Sequence, residues 1–197
     1  MSQQELAFKA KFIDFASTTF PEVNPIDHMV ADLKGSQQIR LQTYRYPCPE
    51  GVARKGIVQW IHGFNDYSGR YAFAAKHLAE RGYEVVAMDQ RGFGFSQGTR
   101  GLIMSPEQAR DDILMFTEKV NEKFGGKSVP HFTIGHSLGG ALQVYAACEK
   151  PDLFTGMTLI TPFIAMAAKQ QEQFDSLKPL AKILGYFSPS YQLTTKE

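Results

Sequence analysis

The chain has 197 residues and a mass of 22.0 kDa, the size of one globular domain, and its 43% hydrophobic and 12% aromatic content supplies a core and excludes a disordered polypeptide. Lys and Arg number 21 against 20 Asp and Glu, a formal net charge of +1, so no broad field draws nucleic acid and the expected partner is a small molecule. The polar start Met1-Ser2-Gln3-Gln4-Glu5 lacks a secretory pattern, and the longest apolar stretch, 157–168, is broken by Thr158, Thr161 and Pro162, well short of the ~20 residues of a spanning helix. The reading is a soluble cytoplasmic protein, with Cys48 and Cys148 as reduced thiols outside any metal spacing.

Residues 1–27 read as a helical or irregular lead-in, punctuated by Pro21, Asn24 and Pro25. Residues 28–33 and 38–46 flank Lys34-Gly35-Ser36-Gln37, and the alternation of Ile39, Leu41 and Thr43 predicts a half-buried strand in a hairpin, closed by Pro47 and Pro49. From there strand and helix alternate. The apolar run 57–61 predicts a buried strand; Tyr71, Ala74, Ala75 and Leu78 share a helical face ahead of Gly82; residues 84–88 predict a second buried strand. Ser105-Pro106-Glu107-Gln108 offers an N-cap, a proline at the first helical position and a Gln able to close a capping box. Ala109, Ile113, Phe116, Val120 and Phe124 then step by three or four until Gly125-Gly126 supplies a stop. Residues 131–134 predict a third buried strand, 138–149 a helix ended ahead of Pro151, and 157–161 a fourth strand. This order implies an α/β fold, a mostly parallel sheet with helices on both faces, over a core domain of residues 28–162. Beyond Pro162, the stretches 163–169, 170–175 and 177–184 read as short amphipathic helices, the start of a helical lid over 163–197.

The residues that carry chemistry begin at Gly135-His136-Ser137-Leu138-Gly139. By average composition a Gly-x-Ser-x-Gly run arises by chance in about one chain in fifteen of this length, so the letters need context. A strand before and a helix after supply it: a sharp turn then lifts the serine clear of the sheet, and small flanking residues let backbones approach. Ser137 is accordingly the candidate nucleophile, set against the alternative of a helix-capping serine. Trp60-Ile61-His62-Gly63-Phe64 is the second element, a buried strand running into a His-Gly turn where half of an oxyanion hole would form. The backbone amides of Phe64 and Leu138 are the candidate donors. His62 reads as a loop histidine whose ring orders the turn. His136 sits within the elbow, where its ring is poorly placed to take the Ser137 proton, and it joins Gly63, Gly135 and Gly139 as support for the turn.

His62-Gly63, Ser68-Gly69-Arg70-Tyr71, Asp89-Gln90-Arg91-Gly92-Phe93-Gly94-Phe95-Ser96-Gln97-Gly98, Thr99-Arg100-Gly101 and Gly135-His136-Ser137-Leu138-Gly139-Gly140 together resemble the monoacylglycerol lipase and lysophospholipase branch of the α/β-hydrolases, over residues 28–165. Several ordered motifs are more specific than any one of them. The resemblance implies a serine hydrolase for esters of single-acyl-chain lipids, working through an acyl-enzyme with no cofactor and no metal. Its partner would be a small-molecule lipid ester, with no nucleic acid involved; peripheral membrane contact is compatible with such a substrate.

The chain departs from that family pattern at three places. Asn65-Asp66-Tyr67 stands where relatives often have Gly-Glu-His, and Gly92-Phe93-Gly94 where they have Gly-His-Gly; both changes bear on loop hydrogen bonding. The third concerns the catalytic partners. In this fold the acid and the histidine follow the serine, yet His28, His62, His77, His131 and His136 all precede Ser137, and Asp152, Glu172 and Asp175 lie where no triad acid is expected. The expectation is therefore an incomplete sequence, lacking two strands, their helices and two catalytic loops, roughly 80 to 100 residues. The strand at 157–161 would then be an apolar sheet edge, needing the missing C-terminal part or another chain to cover it. The alternatives are a catalytically incomplete binding or assembly module, and a second chain that supplies the absent groups in trans.

Overall fold

The computed structural model describes residues 21–31, 38–103, 105–125, 128–165, 172, 175 and 176. The chain divides into two compact units, Met1–Pro162 and Phe163–Glu197, and the helices expected between 163 and 184 fall mostly outside the described residues. The first unit contains, in chain order, β1 (Glu22–Val23), β2 (His28–Ala31), β3 (Gln38–Leu41), β4 (Thr43–Tyr46), β5 (Gly56–Ile61), α1 (Ala72–Glu80), β6 (Tyr83–Met88), α2 (Pro106–Phe124), β7 (His131–His136), α3 (Leu138–Glu149) and β8 (Gly156–Ile160).

The main sheet runs β1-β4-β6-β5-β7-β8, and β2 and β3 form a separate antiparallel hairpin. Parallel pairing joins β6 to β5, β5 to β7 and β7 to β8, while β4 and β1 add antiparallel strands at one side. The period-2 geometry of a strand sends alternate residues to opposite faces. On β5, Ile57 and Ile61 enter the core shared with Ile113, Phe116 and Val120 of α2 and with Leu142 and Ala146 of α3. Val58 and Trp60 enter the opposite core, against Ala75 and Ala79 of α1. Both faces are covered, which is why the strand reads in sequence as a continuous apolar run. Gln59 interrupts that run without penalty because the Thr117 hydroxyl, on α2, donates to its side-chain oxygen at 3.0 Å.

Helix α2 begins as its sequence dictates. Ser105 is the N-cap, its hydroxyl oxygen accepting the Gln108 amide at 3.3 Å, and Pro106 occupies the first turn. The Ser105 hydroxyl itself donates to the Glu107 carboxylate at 2.5 Å, a carboxylate one residue earlier than the capping-box pattern places it. Ile113, Phe116, Val120 and Phe124 are buried along the expected stripe.

Several boundaries differ from the expectation. Glu22–Val23, within the expected lead-in, pairs with β4 as an edge strand. The strand expected over 38–46 breaks at Gln42, whose amide donates to Ser96 Oγ at 2.8 Å and whose carbonyl accepts the Asp89 amide at 2.8 Å. The loop after β6 thus takes the backbone groups that would have continued the strand, and β3 and β4 serve different sheets. The strand expected to end at residue 134 runs on to His136, and the fourth strand covers Gly156–Ile160. The strand expected over 28–33 is described from His28 to Ala31.

Candidate active site

The turns after β5, β6 and β7 all leave the carboxyl end of the parallel strands, where open α/β sheets gather their ligand sites. They bring His62, Asp89 and Ser137 to one end of the sheet.

Ser137 occupies the single residue between β7 and α3, at φ 51° and ψ −116°. Non-glycine residues seldom adopt positive φ, and such strain concentrates at functional sites. The conformation is held on both sides: the Ser137 amide donates to Ile160 O on β8 at 2.9 Å, and its carbonyl accepts the Ala141 amide at 3.2 Å. Its hydroxyl does not cap the helix it begins, so the capping alternative fails on geometry. The side chain is half-buried.

Two glycines make the turn possible by close approach. A Cβ at Gly139 would lie 2.5 Å from His62 O and inside the contact distance of Ile61 O; one at Gly63 would lie 3.3 Å from both Ser137 Cβ and His136 O. The His62-Gly63 turn is thereby seated directly on the elbow. Gly135, at the end of β7, faces Gly139 O, which a Cβ would meet at 2.6 Å. Phe64 is 59% exposed, its ring edge-on to buried Phe93 at 5.4 Å. Among the described residues, no main-chain acceptor pairs with the amide of Phe64 or of Leu138, and Leu138 is the first residue of α3, whose opening amides lack intrahelical partners.

His62 is fully buried with both ring nitrogens engaged: Nδ1 donates to Gly63 O at 2.8 Å and Nε2 accepts the Gln90 amide at 2.8 Å. Gln90 returns a bond from its side-chain amide to His62 O at 2.5 Å. Burial pulls the His62 pKa below its ordinary value, against the smaller opposing pull of its bond to Gly63 and the charges of Asp89 and Asp66. A neutral ring with its lone pair already in use orders the turn and accepts no proton. His136 is directed away from proton transfer by a different route, with Nδ1 3.0 Å from the Tyr71 phenol and 3.9 Å from Asp66 Oδ2.

The remaining histidines are each held at one ring nitrogen by groups other than Ser137: His28 Nε2 donates to Asp112 O at 3.0 Å, His131 Nδ1 lies 2.7 Å from Asn121 Oδ1, and His77 Nδ1 faces Glu80 at 3.5 Å.

The family profile described as Serine aminopeptidase, S33 matches residues 53–197. The chain belongs to this family. It is 35% identical over 150 residues to monoglyceride lipase of Rattus norvegicus and 32% identical over 149 residues to that of Homo sapiens, each match covering 76% of this chain and 48% of the relative. The chain thus spans about half the length of these relatives. Among solved structures, a soluble variant of monoglyceride lipase from Saccharomyces cerevisiae, in complex with a substrate analog, superposes with a TM-score of 0.67 at 26% identity, over 81% of this chain and 53% of that one. Monoacylglycerol lipase of Paleococcus ferrophilus gives 0.59 at 30% identity, over 76% and 52%. The α/β-hydrolase fold expected from the motifs is the fold observed.

Two features of this α/β-hydrolase were hidden in its sequence. Asp89, at the end of β6, is a buried clamp: its carboxylate accepts the Tyr44 phenol at 2.8 Å, the Ser68 amide at 2.7 Å and the Phe95 amide at 2.9 Å. Burial and that carboxylate push the Tyr44 phenol well above its ordinary pKa. Asp66, in a segment that departs from the family pattern, is buried and accepts from the Tyr67 amide at 2.9 Å and the Tyr71 phenol at 2.5 Å. An acid closing a strand ahead of a glycine-rich turn was the available signal for Asp89; for Asp66 there was none.

Proposed function

We propose that the protein of which this chain is part hydrolyses carboxylic esters of single-acyl-chain lipids, monoacylglycerols or lysophospholipids, through an acyl-enzyme on Ser137. The carrying observation is the elbow itself, a serine at positive φ between a parallel strand and a helix, with the His62-Gly63 turn packed against it. In this reading Ser137 Oγ attacks the ester carbonyl, and the amides of Phe64 and Leu138 receive the developing oxyanion. Similarity to monoglyceride lipases supports the substrate class, as does similarity to a Bacillus subtilis phospholipase, 27% identical over 138 residues. No described helix is long and apolar enough to cross a membrane; the location that goes with this reading is the cytoplasm, with peripheral contact to the lipid surface. Residues 28–162 form the catalytic core in this account, and 163–197 begin a helical lid. Labelling with a serine-directed fluorophosphonate is the test: Ser137→Ala is expected to abolish it, and an undiminished signal removes the assignment.

A second reading rests on the histidines. Among the described residues, none of the histidine contacts given above is to Ser137, which favours a proton acceptor supplied by further sequence or by a second chain. Without either, the fold would serve as a binding or assembly module. The coding message beyond Glu197 discriminates: an in-frame acid and histidine favour the enzyme, a stop codon the module, and co-purification of a labelling-competent second subunit the shared site.

A further inference from the structure

Asp66, Tyr71 and His136 form a hydrogen-bonded line from the oxyanion side of the site to the nucleophile side. Asp66 Oδ1 faces Arg70 Nε at 3.1 Å and accepts the Tyr67 amide at 2.9 Å. With Oδ1 taken by these two donors, Oδ2 is left as the acceptor for the next group in the line. Tyr71 Oη lies 2.5 Å from Asp66 Oδ2, which engages the one phenol proton, and 3.0 Å from His136 Nδ1. Toward His136 the phenol oxygen is therefore an acceptor, and Nδ1 must carry a proton. Burial, then the bond to Asp66, push the Tyr71 phenol above its ordinary pKa, which keeps that proton in place.

We propose that Asp66 and Tyr71 are positioning residues that lock His136 in its Nδ1-protonated form and so fix the elbow against the His62-Gly63 turn. A Cβ at Gly63 would lie 3.2 Å from His136 Nδ1 and 3.3 Å from Ser137 Cβ; the ring is part of the surface on which the turn seats, and tilting it moves the Phe64 amide relative to Ser137. Asp66 and Tyr71 belong to the segment that follows the turn, whereas His136 is the residue before the serine. The line therefore ties the two halves together independently of the sheet's own hydrogen bonds. Its catalytic consequence rests on the reading of Ser137 as nucleophile; the tautomer does not.

The experiment uses the natural full-length polypeptide with nitrogen-15 histidine. Long-range proton–nitrogen correlations are expected to show His136 protonated at Nδ1 with a bare Nε2, and Tyr71→Phe to release it to the Nε2-protonated form that free histidine prefers. The rate of fluorophosphonate acylation is expected to fall about 10- to 100-fold in Tyr71→Phe and Asp66→Asn, with KM for an ester changing less than about twofold, while Asp66→Glu recovers part of the rate. Thermal melts of each variant separate misplacement from unfolding. An Nε2-protonated His136 in the native protein, or unchanged acylation in a folded Tyr71→Phe, overturns the proposal. Should Ser137→Ala still be labelled while His136 shows the Nδ1 proton, the hydrolase reading fails and the tautomer lock stands.

Discussion

Gly139 illustrates how little room the elbow leaves. Its missing side chain is replaced by the carbonyls of Ile61 and His62, main-chain atoms in and beside the central strand, which cannot yield without moving β5. Gly139→Ala is expected to destabilise the fold by about 2 to 4 kcal/mol, the upper range for overpacking, seen as a lower denaturant midpoint with an unchanged slope. Gly101→Ala is the control: Gly101 has φ 70° but open space around its Cβ position, so only backbone strain of about 1 kcal/mol is expected. Equal midpoints for the two variants would contradict the packing described. The need for small residues flanking Ser137 was legible from the motif, but the atoms that enforce it lie on another strand and were not.

Between elements, two histidines join strands to α2. His28 on β2 donates to Asp112 O and its ring packs 5.5 Å from Phe116; His131 on β7 meets Asn121. Burial, assisted at His28 by the Lys119 charge, pulls His28 down to about 4, and burial alone does the same at His131. Both are neutral in the folded protein, whereas in the unfolded chain they titrate near the ordinary 6.5. Between those values the unfolded state takes up protons that the folded state refuses, so stability falls as pH drops from 6.5 toward about 4. The slope contributed approaches about 1.4 kcal/mol per pH unit for each histidine and levels off below the folded value. Denaturant titrations across this window measure it. Replacing either histidine by glutamine is expected to flatten the profile, and an unaltered profile would place the acid sensitivity elsewhere.

For the molecule as a whole, β8 is the exposed consequence of element order. Among the described residues it pairs only with β7, and Met157, Leu159 and Ile160 are 43%, 43% and 38% exposed. An apolar strand with a free ladder edge recruits another chain. The 197-residue polypeptide made alone is expected to self-associate or to hold a partner over β8, and Leu159→Lys to reduce that association without lowering the melting temperature. A monodisperse, cooperatively melting monomer in sedimentation and calorimetry would count against it. Such an edge was foreseeable from the strand order. The recruitment of Glu22–Val23 as a sixth strand was not, because its pairing with Tyr44 and Arg45 leaves no mark in a two-residue pattern, and neither was the break at Gln42, imposed by Ser96 and Asp89.

Local periodicity and turn chemistry, read along the chain, were enough to set the alternation of strands and helices from β5 to β8, the N-cap of α2 at Ser105 and the strand–serine–helix elbow, because each depends on neighbours within a few residues. Tertiary structure alone decided which polar groups meet. Tyr71 reaches His136 across 65 positions, Tyr44 reaches Asp89 across 45 and His62 receives Gln90 across 28, and a hydrogen bond's donor and acceptor are assigned only once folding has brought the atoms within 3 Å or so of each other.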